Sequence, residues 1–229
     1  LSRRPETNFS VTGLALRFNY NDTRGATYTL GPLLGKAISM SMRMDHPVLG
    51  SDFKALSLNY RLQTYYKLPW GQTPVLSLRV AGGIRISDRA RASRFSLGGI
   101  SEQDLVQSVI NSLRVGNTGF LRGYRSRAAV GTQMHLVNLE YRQELFDIET
   151  GLTTLPFYLQ KLHIAALSDI GNAFDNEFDP TDFKASLGVS LRLNMLIGYF
   201  IPGTLDIGYA RGLREGGIDE WWTLLTGTI

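Results

Sequence analysis

Cysteine is absent from the 229 residues, which removes both a disulfide framework and any thiolate metal site. Long apolar runs are missing too. No stretch approaches the ~20 consecutive apolar residues that a transmembrane helix needs. Mean hydropathy is close to zero, as it is in many soluble proteins and equally in a sheet whose two faces differ. Charge of one sign is not massed: the net charge is +4, and Arg43, Arg61, Arg79, Arg85, Arg142 and Arg192 stand singly on alternating patterns. A nucleic-acid surface gathers its cations into a patch, so no nucleic-acid partner is expected. Enzyme signatures are missing as well, with no Gly-x-Ser-x-Gly, no phosphate-binding loop and no His-Glu-x-x-His. His46, His135 and His163 are far apart and lack ligand spacing. The acidic loop of Asp175, Glu177, Asp179 and Asp182 lacks the full calcium-ligand pattern and reads as a solvated hairpin. No catalytic residue, metal or cofactor is therefore expected. Leu1-Ser2-Arg3-Arg4-Pro5 leads into no apolar export signal, so an exported protein is expected here in mature form.

Period-two alternation fills the sequence instead. Ile38, Met40, Met42 and Met44 oppose Ala37, Ser39, Ser41 and Arg43. Val137, Leu139 and Tyr141 oppose Asn138, Glu140 and Arg142, and Leu187, Val189, Leu191 and Leu193 oppose Ser190, Arg192 and Asn194. Strands are expected near 8–21, 27–45, 52–68, 73–88, 128–146, 157–174, 184–198, 202–213 and 219–229. Several exceed the five or six residues usual in a soluble sheet and have the length of tilted membrane-crossing strands. Short connections are expected at Asn21–Gly25, Pro69–Gln72 and through Asp175–Asp182. Aromatics gather at strand ends, as Tyr65, Tyr66 and Trp70, Tyr199 and Phe200, and Trp221 and Trp222, where interfacial girdles sit. The expected fold is all-β: an antiparallel transmembrane β-barrel with lipid outside and a wet interior.

Residues 89–127 interrupt the meander and are too long for a hairpin loop. Ser101-Glu102-Gln103-Asp104 resembles a capping box, and Leu105, Val106, Val109, Ile110 and Leu113 have helical spacing, so a short helix is expected inside this loop. Gly119-Phe120-Leu121-Arg122-Gly123-Tyr124-Arg125 follows, and Arg94-Phe95-Ser96-Leu97-Gly98-Gly99 precedes. This pair resembles the two-part signature of the outer membrane protein 85 superfamily, also called the bacterial surface antigen family, to which BamA-type insertases and two-partner secretion transporters belong. Further similarities follow in the family's order: Asp22-Thr23-Arg24-Gly25 before a strand, Asn138-Leu139-Glu140-Tyr141-Arg142 after the loop, Asp169-Ile170-Gly171 in an Asp-x-Gly strand, and Leu205–Ala210 near the end. The final strand departs from the pattern by ending Thr226-Gly227-Thr228-Ile229 without a terminal aromatic.

The resemblance implies a non-enzymatic barrel of the bacterial outer membrane that inserts or translocates proteins. Its partners would be the lipid bilayer, lipopolysaccharide and client outer-membrane or secreted polypeptides. It also implies a loop-to-wall lock formed by Arg122, Gly123 and Tyr124 with Glu140, Asp169 and Gly171. The residues allow such a lock independently: Glu140 and Asp169 share the inner parity of their strands, and a guanidinium grips a carboxylate in bidentate fashion. Arg85, Arg89, Arg91 and Arg94 stand where the chain leaves the wall and could meet lipopolysaccharide phosphates. Gly203, Gly208, Gly212 and Gly227 are expected to weaken pairing near the last edge. About nine strands cannot enclose a loop of this length, and bacterial single-chain barrels have even counts. The chain therefore reads as half a pore, which the resemblance implies is the C-terminal half of a sixteen-stranded barrel, completed by an N-terminal half or a second copy; the other expectation is a passive channel or anchor for an N-terminal domain.

Overall fold

The structure is a computed structural model that describes residues 10–25, 31–70, 73–88, 94–99, 120–151, 155–175, 178–198 and 200–227. Its strands are β1 (Gly13–Asn21), β2 (Gly35–Asp45), β3 (Ala55–Lys67), β4 (Val75–Ser87), β5 (Phe95–Leu97), β6 (Ala129–Gly131), β7 (Gln133–Gly151), β8 (Phe157–Phe174), β9 (Lys184–Ile197), β10 (Ile201–Gly212) and β11 (Asp219–Gly227). Nine of them form one sheet in the order β1-β2-β3-β4-β7-β8-β9-β10-β11, and β5 pairs with β6 in a separate ribbon. Every neighbouring pair in the large sheet is antiparallel. All nine expected long strands are present. The sheet is not closed: β1 and β11 are its two ends and pair with one neighbour each.

The two faces are inverted relative to a soluble sheet. Large apolar side chains stand exposed on the outer face, among them Leu16 at 73%, Met40 at 49%, Leu139 at 41%, Leu187 at 55% and Ile207 at 46%. Polar groups on the inner face are covered: Asp169 and Ser190 are each 1% exposed, and Asn138, Arg142, His163 and Asn194 are also buried. The physical reason is the pleat, which sends alternate side chains to opposite faces, together with what covers each face. The β5–β6 ribbon and residues 120–128 lie on the inner side, where Phe95, Leu97, Leu121, Tyr124, Met134 and Leu136 form a buried cluster. Gly171 faces this cluster, and a Cβ there would stand 2.9 Å from Leu97 Cδ2 and the same distance from Leu136 Cδ1. Its missing side chain makes room for the ribbon.

Three expectations are corrected in detail. The strand expected from residue 27 begins at Gly35, and among the described residues before it Leu34 forms an isolated bridge with Arg24. The connection between β1 and β2 is not a short turn. Pro32, within it, lies at the inner face, where Arg142 Nη2 on β7 donates to its carbonyl at 2.9 Å. The strand expected over 128–146 is split: Ala129–Gly131 leaves the wall to pair with β5, and β7 then runs on to Gly151. At Gly131 a Cβ would lie 2.2 Å from the Phe174 carbonyl oxygen, so the crossing is possible only without a side chain. The short helix expected over 101–113 lies outside the described residues.

Pairing of β10 with β11 is continuous from Gly203–Gly227 to Arg211–Asp219. Gly208 provides the bed for an indole, since a Cβ there would lie 2.1 Å from Trp222 Cζ2. Seated on it, Trp222 is 7% exposed and donates from Nε1 to Asp206 Oδ1 at 3.2 Å. Gly208→Val is expected to expel the ring and destabilise the fold by ~1–3 kcal/mol, the range for overpacking a tight site. A red-shifted tryptophan emission together with a lower unfolding midpoint checks this, and an unchanged spectrum and midpoint would contradict the bedding role.

Candidate functional site

Residues 120–124 cross the inner face and are held by five strands. Asp169, in the middle of β8, is the principal anchor. Its Oδ2 accepts from Arg122 Nε at 2.9 Å and from the Arg122 backbone N–H at 3.1 Å, and its Oδ1 accepts from Arg122 Nη2 at 3.1 Å. Asn138, opposite Asp169 on β7, donates from Nδ2 to Oδ1 at 2.6 Å and to the Phe120 carbonyl at 3.1 Å. The guanidinium thus approaches edge-on and bidentate, the strongest form of this contact. The side chains are 16% and 1% exposed, so the charges are shielded from bulk water.

Gly123 occupies the left-handed region at φ +77. A Cβ there would meet the Gly212 nitrogen at 2.4 Å, so both the turn and the close approach to β10 require glycine. Its N–H donates to Glu220 Oε2 on β11 at 2.6 Å, and its carbonyl accepts from Ile218 N at 2.9 Å. Tyr124 is fully buried. Its hydroxyl donates to the Ala185 carbonyl at 2.8 Å and accepts from Arg214 N at 3.1 Å, and Lys184 Nζ lies 5.4 Å from its ring centroid. The two halves of the sequence signature meet directly: Leu121 N donates to the Gly98 carbonyl at 2.9 Å and Gly99 N to the Tyr124 carbonyl at 3.0 Å. A Cβ on Gly98 or Gly99 would strike the backbone of residues 124–127.

Of the site residues inferred from sequence, Arg122, Gly123, Tyr124 and Asp169 come together, and Gly171 lies beside them under the ribbon. Glu140 is not a hydrogen-bond partner of Arg122. It receives Arg192 from β9 in bidentate fashion, Nη1 to Oε1 at 2.6 Å and Nη2 to Oε2 at 3.0 Å, while Arg192 Nε donates to Asp206 Oδ2 at 2.9 Å. Asp169 stands opposite Asn138, whereas Glu140 lies one inward position further along β7, opposite Leu167, and the Arg192 side chain extends to it from the row of His163. Sequence reading also missed Asn138 and Glu220 as loop partners. The signal for Asn138 was present, since it shares inner parity with Glu140, but parity alone does not rank partners.

The remaining motifs have local roles. Asp175 pairs with Arg94 and accepts from Thr132 N at 3.0 Å. Arg85 lies 5.0 Å from the Phe95 ring centroid, while Arg89, Arg91 and Glu177 lie outside the described residues. Asp179 accepts from the hydroxyl and N–H of Thr181, which hold its carboxyl below the usual range. Tyr60 OH and His135 Nδ1 are 2.6 Å apart, and His46 Nδ1 accepts from Val48 N at 3.3 Å. Among the described residues no group of His, Asp and Glu has the arrangement of a metal site. Compared with known proteins, the chain matches no family model and no curated protein.

Arg122→Ala leaves Asp169 without its cation and is expected to cost ~3–5 kcal/mol, as for other buried pairs broken on one side. A double-mutant cycle of Arg122 with Asp169 should give a coupling of about 1–3 kcal/mol, and the cycle with Glu140, which makes no hydrogen bond to Arg122, should give a smaller one. Denaturant unfolding measures both. Equal couplings would contradict the assignment of Asp169 as the anchor.

Proposed function

We propose that this chain is a segment of the wall of a bacterial outer-membrane β-barrel that takes part in inserting or translocating proteins, with residues 120–124 locked onto its inner side. The observation that carries the reading is the inverted sheet. Soluble monomers rarely leave large contiguous apolar patches open to water, yet here the outer faces from β1 to β11 do so. In a bilayer the same faces meet hydrocarbon and cost nothing. The covered ion pairs and the tethered segment fit the opposite side, a water-filled interior.

The sequence resemblance adds the activity. β1 and β11 each offer one side of their backbone for pairing, and an exposed strand edge templates an incoming strand through backbone hydrogen bonds. A client polypeptide would be paired and released without covalent chemistry or cofactor. The same edges serve closure by further strands of the protein or by a second copy. A passive channel or anchor is the competing reading, and reconstitution separates the two. In vesicles of outer-membrane lipids, the protein is expected to accelerate several-fold the appearance of a protease-resistant, heat-modifiable client barrel. Correct insertion of the protein with no acceleration would favour the passive reading.

The membrane assignment has its own test. Leu139→Arg places a charge on the outer face of β7 and is expected to cost ~2–4 kcal/mol near the bilayer midplane, measured as the folding equilibrium in vesicles. A silent substitution would remove lipid from that face.

A further inference from the structure

β11 is one end of the large sheet and pairs with β10 alone. A strand with one neighbour opens more readily than an interior strand, because half of its backbone ladder is missing. Residues 120–124 give β11 a second attachment. The Gly123 N–H donates to Glu220 Oε2 at 2.6 Å, and Ile218 N donates to the Gly123 carbonyl at 2.9 Å. Tyr124 forms an isolated antiparallel bridge with Gly217, in the turn that leads into β11. The buried Glu220 carboxylate also meets the other half of the sequence signature. A Cβ on Gly99 would stand 2.5 Å from Glu220 Oε1 and 2.7 Å from Oε2. Both halves of the signature thus close on one side chain of β11.

This attachment reaches across the wall. Arg122 is fixed to Asp169 on β8, and the next residue is fixed to Glu220 on β11. Between these strands lie β9 and β10, and a spacing of ~4.8 Å puts β8 and β11 ~14 Å apart. The intervening strands grip the same segment. The Tyr124 hydroxyl donates to the Ala185 carbonyl on β9 at 2.8 Å, and Gly123 lies so close to Gly212 of β10 that a Cβ would stand 2.4 Å from its nitrogen. A ladder between two strands can hinge about its own line, and a tie to a strand further in removes that freedom.

We propose that Glu220 is a positioning residue that makes the crossing segment a brace for β11, holding in place the edge at which an extended polypeptide would pair. The inference rests on the proposed reading of that edge as a template. It deepens that reading by giving the clasp a task, since an edge ordered beforehand loses less freedom when a partner strand joins it.

Two conservative substitutions separate a brace from a mere charge. Glu220→Asp keeps the charge and loses the reach, whereas Glu220→Gln keeps the reach and an acceptor oxygen and loses the charge. Amide hydrogen exchange is followed by mass spectrometry on the full chain in lipid vesicles. In Glu220→Asp, exchange over residues 218–222 is expected to rise about tenfold, the order set by loss of one hydrogen bond to a charged acceptor, while β2–β4 keep their rates. Glu220→Gln should restore most of the protection. Unchanged exchange over 218–222 in Glu220→Asp, an equal rise across the whole sheet, or a loosened Glu220→Gln beside a protected Glu220→Asp would overturn the proposal. The client-folding assay is run on the same two variants. Glu220→Asp should lose several-fold of the acceleration, and Glu220→Gln should recover most of it. Full acceleration with a loosened β11 would overturn the role given to the brace. No acceleration by the unsubstituted chain, with the exchange pattern as expected, would instead defeat the functional reading and leave the brace standing.

Discussion

A carboxylate with almost no access to water, placed mid-strand on Asp169, is the constraint on which the inner side of this protein depends. Such a group persists only with donors around it. Asp169 has them from two sources: three come from Arg122, which is 47 residues away in sequence, and one from Asn138 on the adjacent strand. Because the cation arrives on a connecting segment, satisfying the carboxylate also positions that segment. With Arg122 placed, Gly123 comes against β10 and Glu220, and Tyr124 comes beneath Lys184 with its hydroxyl between β9 and the β10–β11 turn.

A second network stiffens the wall itself. Glu140, Arg192, Asp206 and the Trp222 indole join β7, β9, β10 and β11 through side chains alone. It and the Arg122–Asp169 lock use the same chemistry for different purposes, one stitching strands together and the other fastening a crossing segment. They remain distinct because Asp169 and Glu140 occupy different rows of the sheet.

The ribbon of β5 and β6 ties these features together. It covers Gly171, seats Leu97 in the buried cluster, and delivers Gly98 and Gly99 to the backbone of residues 121–127. Two glycines beside an arginine-glycine-tyrosine run thus have a steric meaning, since each removes a Cβ that would collide with the other segment's main chain.

The sequence by itself determined the all-β class, the nine long strands and the side of the sheet each residue occupies, because period-two alternation is local and a strand has no other way to separate two environments. It also marked Arg122, Gly123, Tyr124 and Asp169, through their place in ordered motifs. Tertiary structure alone decided that Arg122 takes Asp169 rather than Glu140, that Asn138 and Glu220 complete the clasp, that Ala129–Gly131 leaves the large sheet, and that Gly208 supports an indole. Each of these depends on register between strands distant in sequence, and a one-position change along a strand's inner row exchanges one candidate partner for another without altering the pattern a reader of the sequence sees.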